Sequence, residues 1–384
     1  KQLGADRFKF QSFPGYDLIS ENTMRIWGRL PFGEQTMVAS PHQPTLYRAM
    51  ITDEPYPVRA LIIHAHNPMV VQANTKLIYK ALKSLDLSVV MDYWLTPSAE
   101  LADYVLPVAS WLERPDFMGD YGGEQALPSS IPGEYDHKND YEIFRELGIR
   151  LGQDWPWKTL EEVFDYMLEP RGTTFRQFMD QGNQNHPPVE YKNYEKKGFA
   201  TFTGKAELYS TILEKLGYDP LPNYEEPPET PISNPGLKKK YPLILITGGR
   251  FRPMFHSEWR QIESIRHRHP DPLVQLHPET AKSLGINEGN WAWIESPRGR
   301  IRMKCEFFEG IDQRVVHCQH GWWYPELPGE EPWLHGVWES NVNVLTDDEP
   351  NHCNPISGGW PLRTALCKVY KVKQYQQKKM PSSE

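Results

Sequence analysis

The sequence predicts two successive folds, an open α/β sheet with parallel strands and then a β-barrel. Three observations lead there. Val58-Arg59-Ala60-Leu61-Ile62-Ile63-His64 is a near-continuous apolar run, the pattern of a strand covered on both faces. A proline-dense stretch between Gly217 and Tyr241 then interrupts all periodicity. Beyond it the chain changes to short strands and tight turns.

The α/β reading follows the chain in order. Residues 1–50 show weak periodicity and turn residues such as Ser12-Phe13-Pro14-Gly15-Tyr16, and are expected to be an irregular lead-in that continues something longer. After the first strand, Gln72 to Leu85 places Leu77, Ala81, Leu82 and Leu85 at helical spacing, and Leu87-Ser88-Val89-Val90-Met91-Asp92 is a second buried strand. A short helix through Ala99 and Leu101 leads to a third strand, Tyr104-Val105-Leu106-Pro107. Helices around Tyr141 to Leu151, Leu160 to Leu168 and Ala206 to Leu216 are expected to wrap this sheet.

The resulting boundaries are an α/β domain over 51–216, a linker over 217–241, a barrel over 242–376 and a tail over 377–384. Barrel strands are expected at Leu243–Thr247, Leu273–Leu276, Trp291–Glu295, Ile301–Phe307 and Val315–Cys318, with Ser296-Pro297-Arg298-Gly299 as a hairpin turn.

Composition removes several functions. With 42 Lys plus Arg against 50 Asp plus Glu the net charge is −8, and the basic residues are scattered, which disfavours nucleic acid as a partner. No run approaches the roughly 18 apolar residues that a bilayer span needs. Cys305, Cys318, Cys353 and Cys367 lack the spacing of a zinc or iron–sulfur site, and the compartment stays open. There is no Ser-His-Asp signature and no Walker loop.

What remains is a set of binding candidates. Thr247-Gly248-Gly249-Arg250 after a strand offers bare N–H groups, a hydroxyl and a guanidinium to an anion, although a plain turn would read the same. Phe255-His256-Ser257 adds two donors that a turn does not need. Asn67-Pro68 and Asp92 stand at carboxyl ends of strands, where such sheets bind ligands. His64-Ala65-His66 could hold a metal only with help from elsewhere. His320-Gly321-Trp322-Trp323 and the amides of Asn341 and Asn343 could face a ligand or belong to the core.

Taken in order, these pieces resemble the C-terminal half of the molybdenum or tungsten bis-pterin-guanine-dinucleotide oxidoreductases, the dimethyl sulfoxide reductase family. The likeness runs from Pro55 to Val372. It rests on Pro55-Tyr56-Pro57-Val58, Asn67-Pro68, Ala73-Asn74-Thr75, Asp92 to Ala99, Ala102 to Pro107, Phe202-Thr203-Gly204-Lys205, Thr247 to Arg250, His256-Ser257, His277-Pro278-Glu279, His320 to Trp323, Asn343 to Thr346 and Ser357-Gly358-Gly359. It implies a barrel of the double-psi type and a bis-molybdopterin guanine dinucleotide cofactor with Mo or W.

The resemblance also implies roles. Thr247, Gly248, Arg250, His256 and Ser257 would grip pyrophosphate and pterin, with Trp322, Asn341 and Asn343 lining the same cleft. Asn67 would dock the cofactor beside the first strand, and Asp92, Thr96 and Asp103 would hold the guanosine of a second pterin, unless Asp103 merely caps a short helix. The family's Thr-x-Thr-Ala reads Thr96-Pro97-Ser98-Ala99 here and keeps both hydroxyls. The metal ligand and a possible 4Fe-4S cluster would come from a missing N-terminal half, electrons would leave through an iron–sulfur subunit, and the chain alone would be inactive. Sulfur oxyanions, polysulfide or acetylene are favoured over nitrate as substrates. The alternative is a non-catalytic nucleotide- or protein-binding module of the same fold.

Overall fold

The computed structural model describes residues 41–119, 123–133, 135–185, 190–199, 201, 203–355 and 357–373. Residues 1–40 of the expected lead-in, the 377–384 tail and Phe202 lie outside the described residues. The chain divides into two compact units that do not follow sequence order. One holds 41–106 with 225–373, and the other holds 107–224.

In the first unit the expected lead-in ends in a helix, Gln43–Thr52, that buries Tyr47, Ala49 and Met50. Pro44 fits its first turn, where a missing N–H costs nothing. Strands β1 (Ala60–His64), β2 (Leu87–Asp92) and β3 (Tyr104–Pro107) form a sheet in the order β1-β2-β3, with β1 and β2 parallel. The helix Thr75–Lys83 packs on one face through Ile78, Ala81 and Leu82, against Ile63 and Val90.

The other face corrects the expectation of a sheet covered on both sides. Ile62 is 44% exposed, Leu87 40% and Tyr104 63%. A continuous apolar run therefore marked strands whose second face is partly open, closing only toward Met91, which is 1% exposed.

The second unit is built on antiparallel strands β4 (Asp116–Gly119), β5 (Gly123–Leu127) and β6 (Gln184–Asn185). The helices Asp140–Arg150, Leu160–Leu168 and Phe175–Asp180 begin at side-chain caps on Asn139, Thr159 and Thr174. The first two were expected to wrap the parallel sheet, as was a helix over Ala206 to Leu216, of which only Thr211–Lys215 is helical. Instead Phe164, Leu168, Phe175 and Phe178 build a core of their own with Ala126 and Phe117.

Back in the first unit, the part of the proline-rich stretch from Glu225 onward is more ordered than its composition suggests. Asn234 caps a helix over Pro235–Lys240 by accepting from Leu237 N, so the three lysines are helical. Glu229 makes a two-pronged ion pair with Arg298, at 2.6 and 2.7 Å, which ties this stretch to the barrel.

The barrel closes in the order β10-β8-β11-β7-β12-β9. Its strands are β7 (Leu243–Ile246), β8 (Leu273–Leu276), β9 (Trp291–Ser296), β10 (Gly299–Phe307), β11 (Val315–Cys318) and β12 (Ala365–Lys371). Pairs β10/β8 and β11/β7 are parallel and the other four antiparallel, and Pro297-Arg298 is the two-residue turn between β9 and β10. Five strands match the sequence reading to within two residues. The sixth, β12, was not expected, because Ala365, Leu366 and Cys367 are all buried before the pattern begins to alternate. Leu245, Leu276, Ile294, Ile301 and Met303 fill the interior.

Candidate functional site

Closure of the barrel sends the chain out of β7 into Thr247-Gly248-Gly249-Arg250. Thr247 is buried, and its N–H donates to the Leu362 carbonyl at 2.9 Å. The two glycines serve different needs. Gly248 has φ +87, and a Cβ there would meet only Leu362 Cδ1 at 3.7 Å, so backbone conformation demands it and the space above stays open. At Gly249 a Cβ would lie 2.2 Å from His317 Nε2, so close packing demands it. Arg250 is exposed, with its guanidinium 5.1 Å from the Phe255 ring centre.

The loop 255–260 folds back over the segment after β11. His256 and Trp259 adopt positive φ, 44° and 70°, which non-glycine residues hold only when their surroundings impose it. The surroundings are Gly321, where a Cβ would lie 2.4 Å from the His256 carbonyl oxygen, and Trp323, whose Nε1 donates to the Ser257 carbonyl at 2.8 Å. His256 Nδ1 stands 3.0 Å from His320 Nε2, and His320 Nδ1 stands 3.0 Å from the Gly249 carbonyl. A chain of three groups thus links the first glycine turn to the second loop.

Beneath this loop the structure places Trp322, with no exposed surface. Arg260 and Arg266 lie 5.0 and 4.7 Å from its ring centre, and His269 meets its edge. Arg260 is 2% exposed. Its Nη1 donates to the Glu258 carbonyl at 3.1 Å, while its Nε and Nη2, like Trp322 Nε1, have no hydrogen-bond partner. Burial and then the charge of Arg266 pull Arg260 down to about 9. A buried guanidinium without a carboxylate is costly, and it is the kind of debt that an anionic or acceptor-rich ligand settles. Burial also lowers His256, His269, His317 and His320, and the arginines act the same way on His256.

At the sheet, β1 leads to Asn67, which is 5% exposed. Its Oδ1 accepts from Ser98 Oγ at 2.6 Å, Ser98 Oγ accepts from Met69 N, and Asn67 Nδ2 is buried without a partner. Asp92 ends β2 and accepts from Trp94 N at 3.2 Å. Burial raises its carboxyl, backbone N–H groups of Trp94 and Tyr93 oppose this, and the charge of Glu258 raises it further. Glu258 belongs to the barrel loop, so a charge on that loop acts on the end of β2.

Four other candidates are already engaged. Thr96 Oγ1 accepts from Ala99 N and starts the short 3-10 turn Ala99–Leu101. Asp103 caps no helix; its Oδ2 accepts from Ser88 N at 2.7 Å and joins β3 to β2. Asn341 donates to the Met69 carbonyl and Thr75 Oγ1, and Asn343 to the Val70 carbonyl, so both fasten the barrel to the helix that follows Asn67. His66 of the His-Ala-His run pairs with Gln72, and among the described residues no three His, Cys, Asp or Glu stand together as a metal site.

Sequence reasoning missed Glu258, Arg260 and His269. Arg260 is a charged residue in a loop and is buried beside Trp322, a residue far along the chain, so the local sequence carried no signal. Among the described residues no helix is long and apolar enough to cross a membrane.

Comparison with known proteins agrees with this layout. Residues 37–150 match the molybdopterin oxidoreductase family and residues 243–366 the molydopterin dinucleotide binding domain. The chain is similar to acetylene hydratase of Syntrophotalea acetylenica, 37% identical over 379 residues that cover 96% of this chain and 52% of that protein. It is similar to dopamine dehydroxylase of Eggerthella lenta, 31% identical over 410 residues covering 85% of this chain and 39% of that one. The solved acetylene hydratase from Pelobacter acetylenicus superimposes with a TM-score of 0.82 at 35% identity, over 97% of this chain and 52% of that chain. The chain therefore spans about half the length, or less, of these relatives.

Proposed function

Because the chain belongs to the molybdopterin oxidoreductases of the dimethyl sulfoxide reductase family, we propose that it forms the cofactor-holding walls of an enzyme carrying bis-molybdopterin guanine dinucleotide with Mo or W. When bound, that group supplies two-electron exchange or Lewis-acid activation of a small substrate. The work of this chain is binding, orientation and electrostatics.

The residues present fit such a group. Gly248 and Arg250 offer an open backbone turn and a mobile cation to a pyrophosphate, with Thr247 beside them. Asn67 offers an unpaired amide donor at the sheet end, and Asp92 a half-buried carboxylate suited to guanine N–H or ribose hydroxyl groups. His256 and Ser257 stand on the loop that the Trp322 floor supports. The observation that carries this reading is that Asn67 Nδ2, Arg260 Nε and Nη2, Arg266 Nη1 and Trp322 Nε1 are buried donors left without partners, as is Trp360 Nε1 elsewhere in the same unit. Self-contained folds rarely leave such groups unpaired.

The metal's protein ligand and any iron–sulfur cluster we assign to a separate N-terminal half, and electron exit to an iron–sulfur partner. Likeness to acetylene hydratase over nearly the whole chain supports a small substrate, with acetylene-type hydration ahead of nitrate or formate chemistry. The test is to purify the chain with its N-terminal half and measure metal and acid-released GMP. Two GMP per metal are expected, and a preparation that folds yet holds neither would overturn the proposal. Assay with acetylene, thiosulfate, polysulfide, nitrate and formate then sorts the substrates.

A further inference from the structure

We propose that His320 is a positioning residue that fixes the proton of His256 on Nδ1, so that His256 meets its ligand with Nε2 as a hydrogen-bond acceptor. The proposal deepens the reading of His256 as a ligand-facing residue and rests on it for that last clause alone.

The argument is a proton count. His320 Nδ1 lies 3.0 Å from the Gly249 carbonyl oxygen, which can only accept, so that nitrogen carries a proton. In the neutral ring Nε2 is then a lone pair, and it lies 3.0 Å from His256 Nδ1. His256 must donate there. Its own Nε2 is left bare, on an exposed side chain with no other hydrogen-bond partner for that atom among the described residues.

Close packing holds each link of the chain. Gly249 cannot shift toward His317, which already occupies the space of its absent Cβ, and Gly321 presses against the His256 carbonyl. The two imidazole rings meet edge to face at 63°, with centres 5.2 Å apart. A doubly protonated His320 would reverse the count, by donating from Nε2 as well. Burial opposes that charge, as do Arg250, Arg260 and His256, although the Gly249 carbonyl favours it.

The consequence divides the site. A bare nitrogen repels an ionised phosphate oxygen and suits a ligand N–H or O–H, which leaves the dinucleotide's phosphates to Gly248 and Arg250. His256 reads a donor edge of the ligand instead of joining the pyrophosphate grip.

The test uses the full chain labelled with 15N-histidine, without cofactor, and long-range 15N–1H correlation at neutral pH, with the His256 signal identified by its loss in His256→Gln. The native chain is expected to show His256 protonated at Nδ1 alone. His320→Phe, which removes the acceptor, is expected to move His256 to a mixture of tautomers. His320→Gln, whose Oε1 can accept near the position of Nε2, restores the native pattern. A native His256 protonated at Nε2, or a tautomer unchanged in a folded His320→Phe chain, overturns the proposal; if that variant does not fold, the native spectrum decides. In the loaded enzyme, GMP retention is expected to fall about tenfold in His320→Phe and little in His320→Gln. Loss of cofactor binding altogether would refute the functional reading and leave the tautomer standing.

Discussion

The barrel loop 247–260 and the turns that leave the sheet β1-β2-β3 draw on the same residue types and differ in how far their hydrogen bonds are finished. On the sheet side Thr96, Ser98 and Asp103 are committed to neighbouring backbone or side-chain groups, and only Asn67 Nδ2 is left over. In the barrel loop two residues are held at positive φ and a buried guanidinium lacks an acid. Polar side chains near a ligand site therefore fall into two kinds. Those with complete partners build the frame, and those with unfinished bonds are, in the function proposed above, the ones that the cofactor completes.

The comparison can be broken most sharply at the close glycine contacts. Gly321→Val is expected to destabilise by roughly 3 kcal/mol, because it forces a β-branched side chain into positive φ and against a backbone oxygen that cannot move aside. Gly248→Ala has open space and pays only for φ, about 1 kcal/mol, but it should lose nucleotide. Urea unfolding of both variants, with GMP content, distinguishes packing from binding; equal stability losses would refute the distinction.

Next in size is the frame itself. Arg298→Ala removes the pair with Glu229 and a bond to the Leu345 carbonyl, at an expected cost of about 2 kcal/mol with bound nucleotide unchanged. Thermal unfolding in parallel with metal content would check both halves of that statement.

A pH effect should follow. His66, His256, His269, His317 and His320 all sit below their ordinary 6.5 in the folded chain, chiefly through burial. The unfolded chain therefore binds protons first as pH falls, so stability is full above about 6.5 and declines below it. The melting temperature is expected to drop between pH 7 and 5, and less steeply in a His269→Gln, His317→Gln double variant. An unchanged slope would count against burial of these rings.

The smallest effects contrast two neighbours on the sheet. Asp103→Ala should cost about 1 kcal/mol and leave GMP content alone, whereas Asn67→Leu, which also breaks the bond from Ser98 Oγ, should cost about as much and lower GMP content. Reversal of either pair of outcomes would show that unfinished bonding does not mark ligand contacts here.

Much of this was legible in the sequence, for reasons that differ by region. Barrel strands such as Leu273–Leu276 and Val315–Cys318 announced themselves through short alternation between turns, and the glycine turn after β7 through its position. The open face of β1 and β2 was not legible, since an apolar run looks the same whether or not a second layer covers it. Nor was the helix Pro235–Lys240, where one asparagine cap outweighs the proline content around it. Of the candidate residues, Thr247, Gly248, Arg250 and His256 could be proposed from local pattern. The roles of Arg260 and His320 could not, because both arise from pairings between segments far apart in the chain, Arg260 with Trp322 and His320 with Gly249 and His256.

Hydrogen–deuterium exchange on the enzyme purified with and without its cofactor tests the central claim most directly. Cofactor is expected to protect the backbone of 247–260 and the turn at Asn67 most strongly, with the closed strands β8, β9 and β10 unchanged. Protection that spares both of those turns would contradict the account.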